Sequence, residues 1–109
     1  MILTTSYQLA SREIEDELGI VSAEVVFGMN VFRDFLAGIR DFIGGRSEAT
    51  QEVLRDARHH ALAELEAEAQ KLGADAVIAV DLDYHQFATG GSGGMIMLAA
   101  NGTAVRLKS

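Results

Sequence analysis

Two aspartates and a histidine alternate along one predicted strand. Asp81, Asp83 and His85 are each two residues apart, and residues at that spacing on a strand share one face at intervals of about 6 to 7 Å. Two carboxylates and an imidazole could bind a hard or borderline divalent cation, particularly where another subunit adds a ligand. The commoner meaning of this pattern is a polar strand end that faces solvent. The three residues are nevertheless the candidate metal ligands of this sequence.

A second group of possible ligands surrounds His60 on the longest predicted helix. Asp56 and Glu64 lie four residues before and after it, and side chains at that spacing are neighbours on a helix surface. The arrangement could ligate a metal. It equally describes charge-assisted pairs on an exposed helix, which is the interpretation we favour.

An Arg-Asp dipeptide occurs twice, one heptad apart, before the sequence Gly-Gly-Arg-Ser. On a helix, residues seven apart return to nearly the same azimuth. The arginines, with the amides of the next helix start, could bind an anion or phosphate, although the lysine and spacing of a P-loop are missing. We favour salt bridges across a subunit interface, where arginine is preferred to lysine. The candidate interface or anion-binding residues are Arg33, Asp34, Arg40, Asp41, Arg46 and Ser47.

The composition excludes several classes of function. The 109 residues contain no cysteine, so disulfides, thiol catalysis and thiolate metal sites are all ruled out. A formal charge of −7 argues against nucleic acid as a partner, because phosphate binding needs a basic surface. No serine has a spacing-defined base partner and no His-Glu-x-x-His motif is present, so we do not expect an enzyme.

Length and hydropathy predict one soluble domain that spans residues 1–109. No apolar run approaches the roughly 18 residues of a membrane span, so no membrane partner is expected. The first residues show neither a basic region nor a long apolar region of the kind found in signal peptides. The expected location is the cytoplasm.

Hydrophobic periodicity and turn residues predict the order β-β-α-α-β-β-β. The first part of the chain is predicted to form a strand over Met1–Thr5, a solvated edge or turn over Ser11–Glu17 and a strand over Ile20–Phe27. Two helices follow, a short one within residues 30–43 and a long one from Ser47 to about Leu72 that stops at Gly73. The last part is predicted to form a strand over Ala74–Tyr84, a flexible glycine-rich loop over Thr89–Gly94, and two strands, Met95–Ala100 and Thr103–Lys108, joined by a type I′ turn at Asn101-Gly102.

These elements favour an α+β two-layer domain, in which the long helix covers a mostly antiparallel sheet. The apolar stripe of the helix is Leu54, Ala57, Ala61, Leu65 and Leu72, flanked by Leu62 and Ala69. On the strand over Ala74–Tyr84, the predicted faces are Ile78, Val80, Leu82 and Tyr84 on one side and Val77, Ala79, Asp81, Asp83 and His85 on the other. One helix covers one face of the sheet, so the apolar residues left on the other face predict self-association.

The sequence resembles the YbjQ family of small bacterial and archaeal proteins, which carry a heavy-metal-binding label. The resemblance runs nearly end to end. It rests on Asn30-x-Phe32-Arg-Asp34 continuing through Ile39-Arg-Asp41 to Gly44-Gly-Arg-Ser47, on Leu72-Gly-Ala-Asp-Ala-Val77 with Asp81-x-Asp83-Tyr84, and on Gly102-Thr-Ala-Val105.

The resemblance implies a dodecin-like subunit, with a helix on an antiparallel sheet, assembled as a ring-like homopentamer. The family has no agreed set of metal ligands; Asp81 and Asp83 match its pattern, and His85 is not carried over. The lack of cysteine weakens the label for soft metals in particular. The function predicted from the sequence is thus a homo-oligomeric module that binds divalent or heavy-metal cations. The alternative is a self-assembling scaffold, or a protein that binds a small molecule or anion without metal.

Overall fold

The structure, a computed structural model, describes residues 1–28, 46–88 and 94–109. Its elements are β1 (Ile2–Leu3), β2 (Ile14–Gly28), α1 (Arg46–Lys71), β3 (Ala76–Ala88) and β4 (Gly94–Leu107). The predicted short helix within residues 30–43 and nearly all of the predicted glycine-rich loop lie outside the described residues. Strand β2 starts at Ile14 and lies at one edge of the described sheet, so of the two predicted alternatives for Ser11–Glu17 its C-terminal part is a solvated edge and not a turn.

The four strands form one mixed sheet in the order β1-β3-β4-β2. Strand β1 pairs in parallel with β3, and β4 pairs antiparallel with both of its neighbours. Helix α1 packs on one face of this sheet, mainly across β2 and β4. The described part of the chain is therefore an α+β domain with one helix on a four-stranded mixed sheet.

Small residues bring α1 close to the sheet. The buried residues of its inner face are Ala57, Ala61, Leu65 and Ala69. They pack against Val21, Ala23 and Leu98 of the sheet. Leu72 was predicted to belong to this stripe, but it is 44% exposed because the helix has already ended at Lys71. Ala69, which was predicted to widen this stripe on one flank, is fully buried.

Gly73 ends the helix as predicted. Its φ is +78°, in the left-handed region that favours glycine. The amide of Gly73 donates to the carbonyl of Gln70 at 3.0 Å, and the amide of Ala74 donates to the carbonyl of Ala69 at 3.1 Å. This pair of hydrogen bonds is a Schellman motif, which satisfies carbonyls that the end of a helix leaves without partners. The chain then turns directly into β3.

The predicted hairpin at Asn101-Gly102 is wrong. Strand β4 runs without interruption from Gly94 to Leu107. Asn101 pairs with Ser22 on one side and with Asp81 on the other, and Gly102 pairs with Val21. The glycine is needed here for a close approach of two strands, because a Cβ on Gly102 would lie 2.6 Å from Cγ1 of Val77.

Opposite Gly102, β3 contains a bulge. Between the pairs Ile78–Thr103 and Asp81–Asn101, two residues of β3, Ala79 and Val80, oppose Gly102 alone. Ala79 has a φ of +53°. Its amide donates to the carbonyl of Ser6 at 2.9 Å, and the amide of Val80 donates to the carbonyl of Thr4 at 2.9 Å. The segment after β1 thus takes up the backbone groups that the bulge turns away from β4.

The bulge reverses the faces that were predicted for the first half of β3. Val77 and Val80 both join the main core beneath α1. Ile78 belongs to a second buried cluster on the opposite face, with Ala76, Val105 and Leu107, and Leu9 and Ile14 cover it. The predicted pairing of Ile78 with Val80 on one face is wrong, because the extra residue in the bulge shifts the alternation by one.

Candidate functional site

Beyond the bulge, the sheet face opposite α1 presents three rows of paired residues. Across β3, β4 and β2 these rows are Asp81–Asn101–Ser22, Asp83–Ala99–Glu24 and His85–Met97–Val26. We call this set of nine residues the open face. Partners in adjacent strands point to the same side of a sheet, so the predicted placement of Asp81, Asp83 and His85 on one face agrees with the register of β3. All three side chains are exposed.

The two aspartates interact directly. The pKa of Asp81 is raised above its ordinary value, chiefly by a hydrogen bond with the Asp83 side chain, then by the negative charge of Asp83 and by a small desolvation effect. The repulsion between two neighbouring carboxylates is relieved by a proton that they share or by a cation. A cation bound beside the pair would therefore offset the repulsion between the two carboxylates.

The two aspartates do not by themselves make a complete metal site. Within residues 1–28, 46–88 and 94–109, no three acidic or histidine side chains lie close enough together to hold a metal ion. Glu24 shares the row of Asp83, but Ala99 lies between them. Two interstrand steps separate their backbones by roughly 10 Å, and the three carboxylates form no ligand group within the described residues. The described residues of one chain therefore offer only part of a coordination shell at this position.

Sequence reasoning did not identify Glu24 as part of this face. The alternation of Ser22 and Glu24 with apolar neighbours indicated that both lie on one face of β2, and that signal was sufficient for the strand itself. Placing Glu24 in the row of Asp83 required the pairing of β2 with β4. The assumed hairpin at Asn101-Gly102 obscured that pairing.

The candidate group around His60 forms an ordinary surface pair. Nε2 of His60 lies 3.0 Å from Oε1 of Glu64, and both side chains are largely exposed. This pair belongs to no three-ligand group in the described part of the chain. The contact fits the interpretation as a charge-assisted pair along the helix.

The candidate interface or anion-binding residues fall mostly outside the described residues. Arg33, Asp34, Arg40 and Asp41 lie in residues 29–45. Arg46 and Ser47 are the first two residues of α1. The interpretation of the Arg-Asp repeat as an interface therefore stays a prediction.

A surface cavity of about 470 Å³ lies away from the open face and is lined by residues 8–14. The charged groups at its rim are already paired within the chain. The guanidinium of Arg12 donates to the carbonyl of Lys108 at 2.8 Å, and Nζ of Lys108 lies 3.1 Å from a carboxylate oxygen of Glu13. These contacts tie the segment that covers Ile78 to the end of β4, which is a structural role.

The fold defines the class of protein first. A solved structure from Pediococcus pentosaceus ATCC 25745, a protein of unknown function assigned to the DUF74 family, matches with a TM-score of 0.65. The match covers 99% of this chain and 98% of that one at 15% sequence identity, so it shows the fold alone. In the part of the chain that the structure describes, no helix has the length and apolar character needed to cross a membrane.

Sequence comparison then gives the family. A family model described as "Putative heavy-metal-binding" matches residues 1–108. The chain is also 44% identical over 107 residues to a UPF0145 protein of Trichodesmium erythraeum (strain IMS101), covering 98% of this chain and 99% of that relative. The chain therefore belongs to the YbjQ family, as its motifs predicted.

Proposed function

We propose that the protein is a homo-oligomeric module that binds a divalent cation through Asp81 and Asp83. The observation that carries the proposal is the direct interaction of these two carboxylates, which raises the pKa of Asp81. A cation between them would offset the repulsion between their negative charges. The description of the family model supports the same class of ligand.

The donor set selects among cations. Carboxylate oxygens prefer hard ions such as Mg²⁺ and Mn²⁺ and also accept Zn²⁺, whereas soft metals prefer thiolate ligands. The chain has no cysteine. We therefore propose a hard or borderline divalent ion as the ligand and not a soft metal. His85, on the same face, is the candidate nitrogen ligand for a borderline ion.

Self-association is the proposed source of the remaining ligands. The aspartate pair forms only part of a coordination shell within the described residues, and a second copy can contribute the remaining ligands. Apolar side chains close to the site also favour a partner, because Ile20 is 84% exposed and Val26 is 49% exposed on β2. The ring-like pentamer of dodecin-like subunits implied by the family resemblance is the assembly we propose.

The test compares the double variant Asp81→Asn/Asp83→Asn with the parent, both purified without a tag or a nickel column. Native mass spectrometry reports the subunit number and bound metal, and isothermal titration with Mn²⁺ and Zn²⁺ reports affinity. We expect the parent to bind one ion per site and the variant to lose that binding. Glu52→Gln/Asp56→Asn is the matched control, because it removes the same charge from the exposed surface of α1.

Unchanged binding of Mn²⁺ and Zn²⁺ in the Asp81→Asn/Asp83→Asn variant would rule out this site. Equal losses in both double variants would show that the effect is one of net charge rather than coordination.

The second candidate function is a self-assembling scaffold that needs no metal. The exposed apolar side chains of Ile20 and Val26 favour this function, because an interface between copies would bury them whether or not an ion is present. A parent protein that assembles fully after exhaustive treatment with EDTA, and then takes up no added divalent ion, would decide for the scaffold.

A further inference from the structure

The segment of residues 8–14, which we call the strap, encloses a cavity between two points of attachment to the sheet. Leu9 and Ile14 pack against the second buried cluster, on the face opposite α1. Between them, residues 10–13 are all exposed. The cavity of about 470 Å³ is lined by the strap alone, and its volume lies within the range of small-molecule sites, roughly 300 to 1,000 Å³.

Lys108, directly after β4, holds the polar end of the strap in place. Its amide donates to the carbonyl of Glu13 at 2.9 Å. Its carbonyl accepts a hydrogen bond from the guanidinium of Arg12 at 2.8 Å, and its Nζ lies 3.1 Å from a carboxylate oxygen of Glu13. These three contacts hold the Arg12 guanidinium at the cavity, because they fix it to the end of a paired strand.

The charges of Glu13 and Arg12 are balanced in different ways. The carboxylate of Glu13 is paired with the ammonium group of Lys108. Arg12 pairs with an uncharged carbonyl and has no carboxylate partner within residues 1–28, 46–88 and 94–109. A guanidinium has five N–H donors, and a single nitrogen of Arg12 makes the contact with Lys108. The cation of the strap therefore keeps donors that an anion can use.

The backbone of the strap adds further donors. No residue from Tyr7 to Glu13 is a proline, so each has an amide N–H, and none of these amides donates a hydrogen bond to another described residue. Successive amides in a turn conformation form concavities that bind anions. The hydroxyl of Ser11 and the side-chain amide of Gln8 line the same cavity and can donate as well.

The cavity also has an apolar wall, which Leu9, Ala10 and Ile14 provide. An apolar wall beside a few convergent polar groups is the usual composition of a small-molecule site. The donors suit an anionic head group, and the wall suits an apolar body attached to it. A bare ion such as phosphate would leave the wall unused.

We propose that the strap binds a small organic anion, a carboxylate or a phosphate ester with an apolar body. The guanidinium of Arg12 pairs with two oxygens of the head group, and the strap amides donate to the head group from the backbone. The apolar body lies against Leu9 and Ile14. This site lies away from the open face, so it does not rest on the proposed cation binding by Asp81 and Asp83.

Titration of the unaltered ¹⁵N-labelled protein tests the site, with amide chemical shifts followed by NMR at constant pH and ionic strength. We expect benzoate and phenyl phosphate to give saturable shifts in residues 7–14 and 106–108. Benzyl alcohol, which has a similar body without the charge, should give none. Inorganic phosphate, which has the charge without the body, should bind more weakly than phenyl phosphate.

Three results of the titration would overturn the proposal. Neither organic anion might be bound at residues 7–14, which would remove the site. Benzyl alcohol that binds as tightly as benzoate would show that no anion is selected. Inorganic phosphate that binds as tightly as phenyl phosphate would show that the apolar wall takes no part.

Arg12→Gln tests the guanidinium, with Arg55→Gln as the matched control because Arg55 lies on the exposed surface of α1. We expect Arg12→Gln to weaken the binding of benzoate and phenyl phosphate by about tenfold or more, since it removes charge-assisted hydrogen bonds. Arg55→Gln should bind like the parent. Equal losses in the two variants would indicate an effect of net charge and exclude recognition by Arg12.

Two variants that retain Arg12 separate ligand binding from its structural role. Glu13→Gln removes a negative charge beside the head group and releases the Lys108 ammonium, so we expect binding to tighten by about twofold to fivefold. Ala10→Phe fills the cavity, so we expect it to abolish binding while the amide shifts of Ile14 and Leu107 stay those of the parent. Weaker binding in Glu13→Gln, or unchanged binding in Ala10→Phe, would contradict the placement of the anion in this cavity.

Discussion

Gly102 of β4 lies so close to Val77 of the neighbouring strand β3 that position 102 has no room for a side chain. A Cβ at Gly102 would lie 2.6 Å from Cγ1 of Val77, 3.1 Å from the carbonyl oxygen of Ile78 and 3.3 Å from Cγ2 of Val80. Val77 is fully buried and β-branched, so its methyl group cannot rotate away cheaply. The contact therefore sets how closely β4 approaches the bulge in β3.

We predict that Gly102→Ala lowers the free energy of unfolding by about 1 to 3 kcal/mol, the usual cost of overpacking a core. Urea denaturation followed by circular dichroism measures the change. The control is the double-mutant cycle with Val77→Ala, in which the second substitution removes the obstructing methyl group. If Gly102→Ala costs as much in the Val77→Ala background as in the parent, the contact with Val77 is not the cause.

Ala79 adopts a φ of +53°, where a non-glycine residue is strained. We predict that Ala79→Gly raises the free energy of unfolding by about 0.5 to 1 kcal/mol, because relief of the left-handed strain exceeds the extra entropy lost by glycine. The urea midpoint at constant m-value provides the measurement. Ala99→Gly, in a regular part of β4, is the matched control and should be destabilising. A loss of stability in both variants would contradict the assigned backbone conformation.

The raised pKa of Asp81 predicts a dependence of stability on pH. A carboxyl group with a higher pKa in the folded than in the unfolded state makes the folded state bind more protons, so stability falls as pH rises through that interval. The interval begins near the ordinary aspartate pKa of about 3.9 and extends upward. Above the interval, the full penalty remains.

Asp83→Asn should lower the pKa of Asp81 and remove this loss of stability, since Asp83 is the main cause of the shift. The measurements are the titration of the Asp81 side-chain carboxyl carbon by NMR and urea denaturation from pH 3 to 7, both in metal-free buffer. Asp56→Asn, on the exposed side of α1, is the control for net charge. A titration midpoint of Asp81 that stays the same in Asp83→Asn would refute the interaction.

Local signals in the sequence predicted the parts of the fold that depend on local physics. Gly73 was identified as the helix stop because glycine is the residue that most often takes the left-handed conformation after the last turn of a helix. The long helix and the first strand also followed from periodicity and capping. The predicted turn at Asn101-Gly102 was wrong because the same dipeptide suits both a two-residue turn and a close approach between strands. Only Val77, distant in sequence, distinguishes them.

The candidate site shows the same division. Asp81 and Asp83 could be placed on one face because alternation after the bulge is regular. The faces of Val77 and Ile78 could not, because nothing in Ala79 or Val80 indicates that the backbone there holds an extra residue. The amides of Ala79 and Val80 in the bulge donate to the carbonyls of Ser6 and Thr4, which lie more than 70 residues away in the chain. Glu24 likewise joins the row of Asp83 only through long-range pairing.

The bulge makes Ala79 a position at which β3 could lose a residue without exchanging its buried and exposed sides. Removing Ala79 would leave Val80 alone opposite Gly102, with Val80 still toward α1 and Asp81 still on the open face. The deletion would cost the hydrogen bond from the Ala79 amide to the carbonyl of Ser6. A deletion in the regular part of the strand, from Asp81 to Ala88, would instead turn the residues on one side of it to the other face of the sheet. Changes in the length of β3 are therefore expected at the bulge or at the ends of the strand, with replacement of side chains elsewhere.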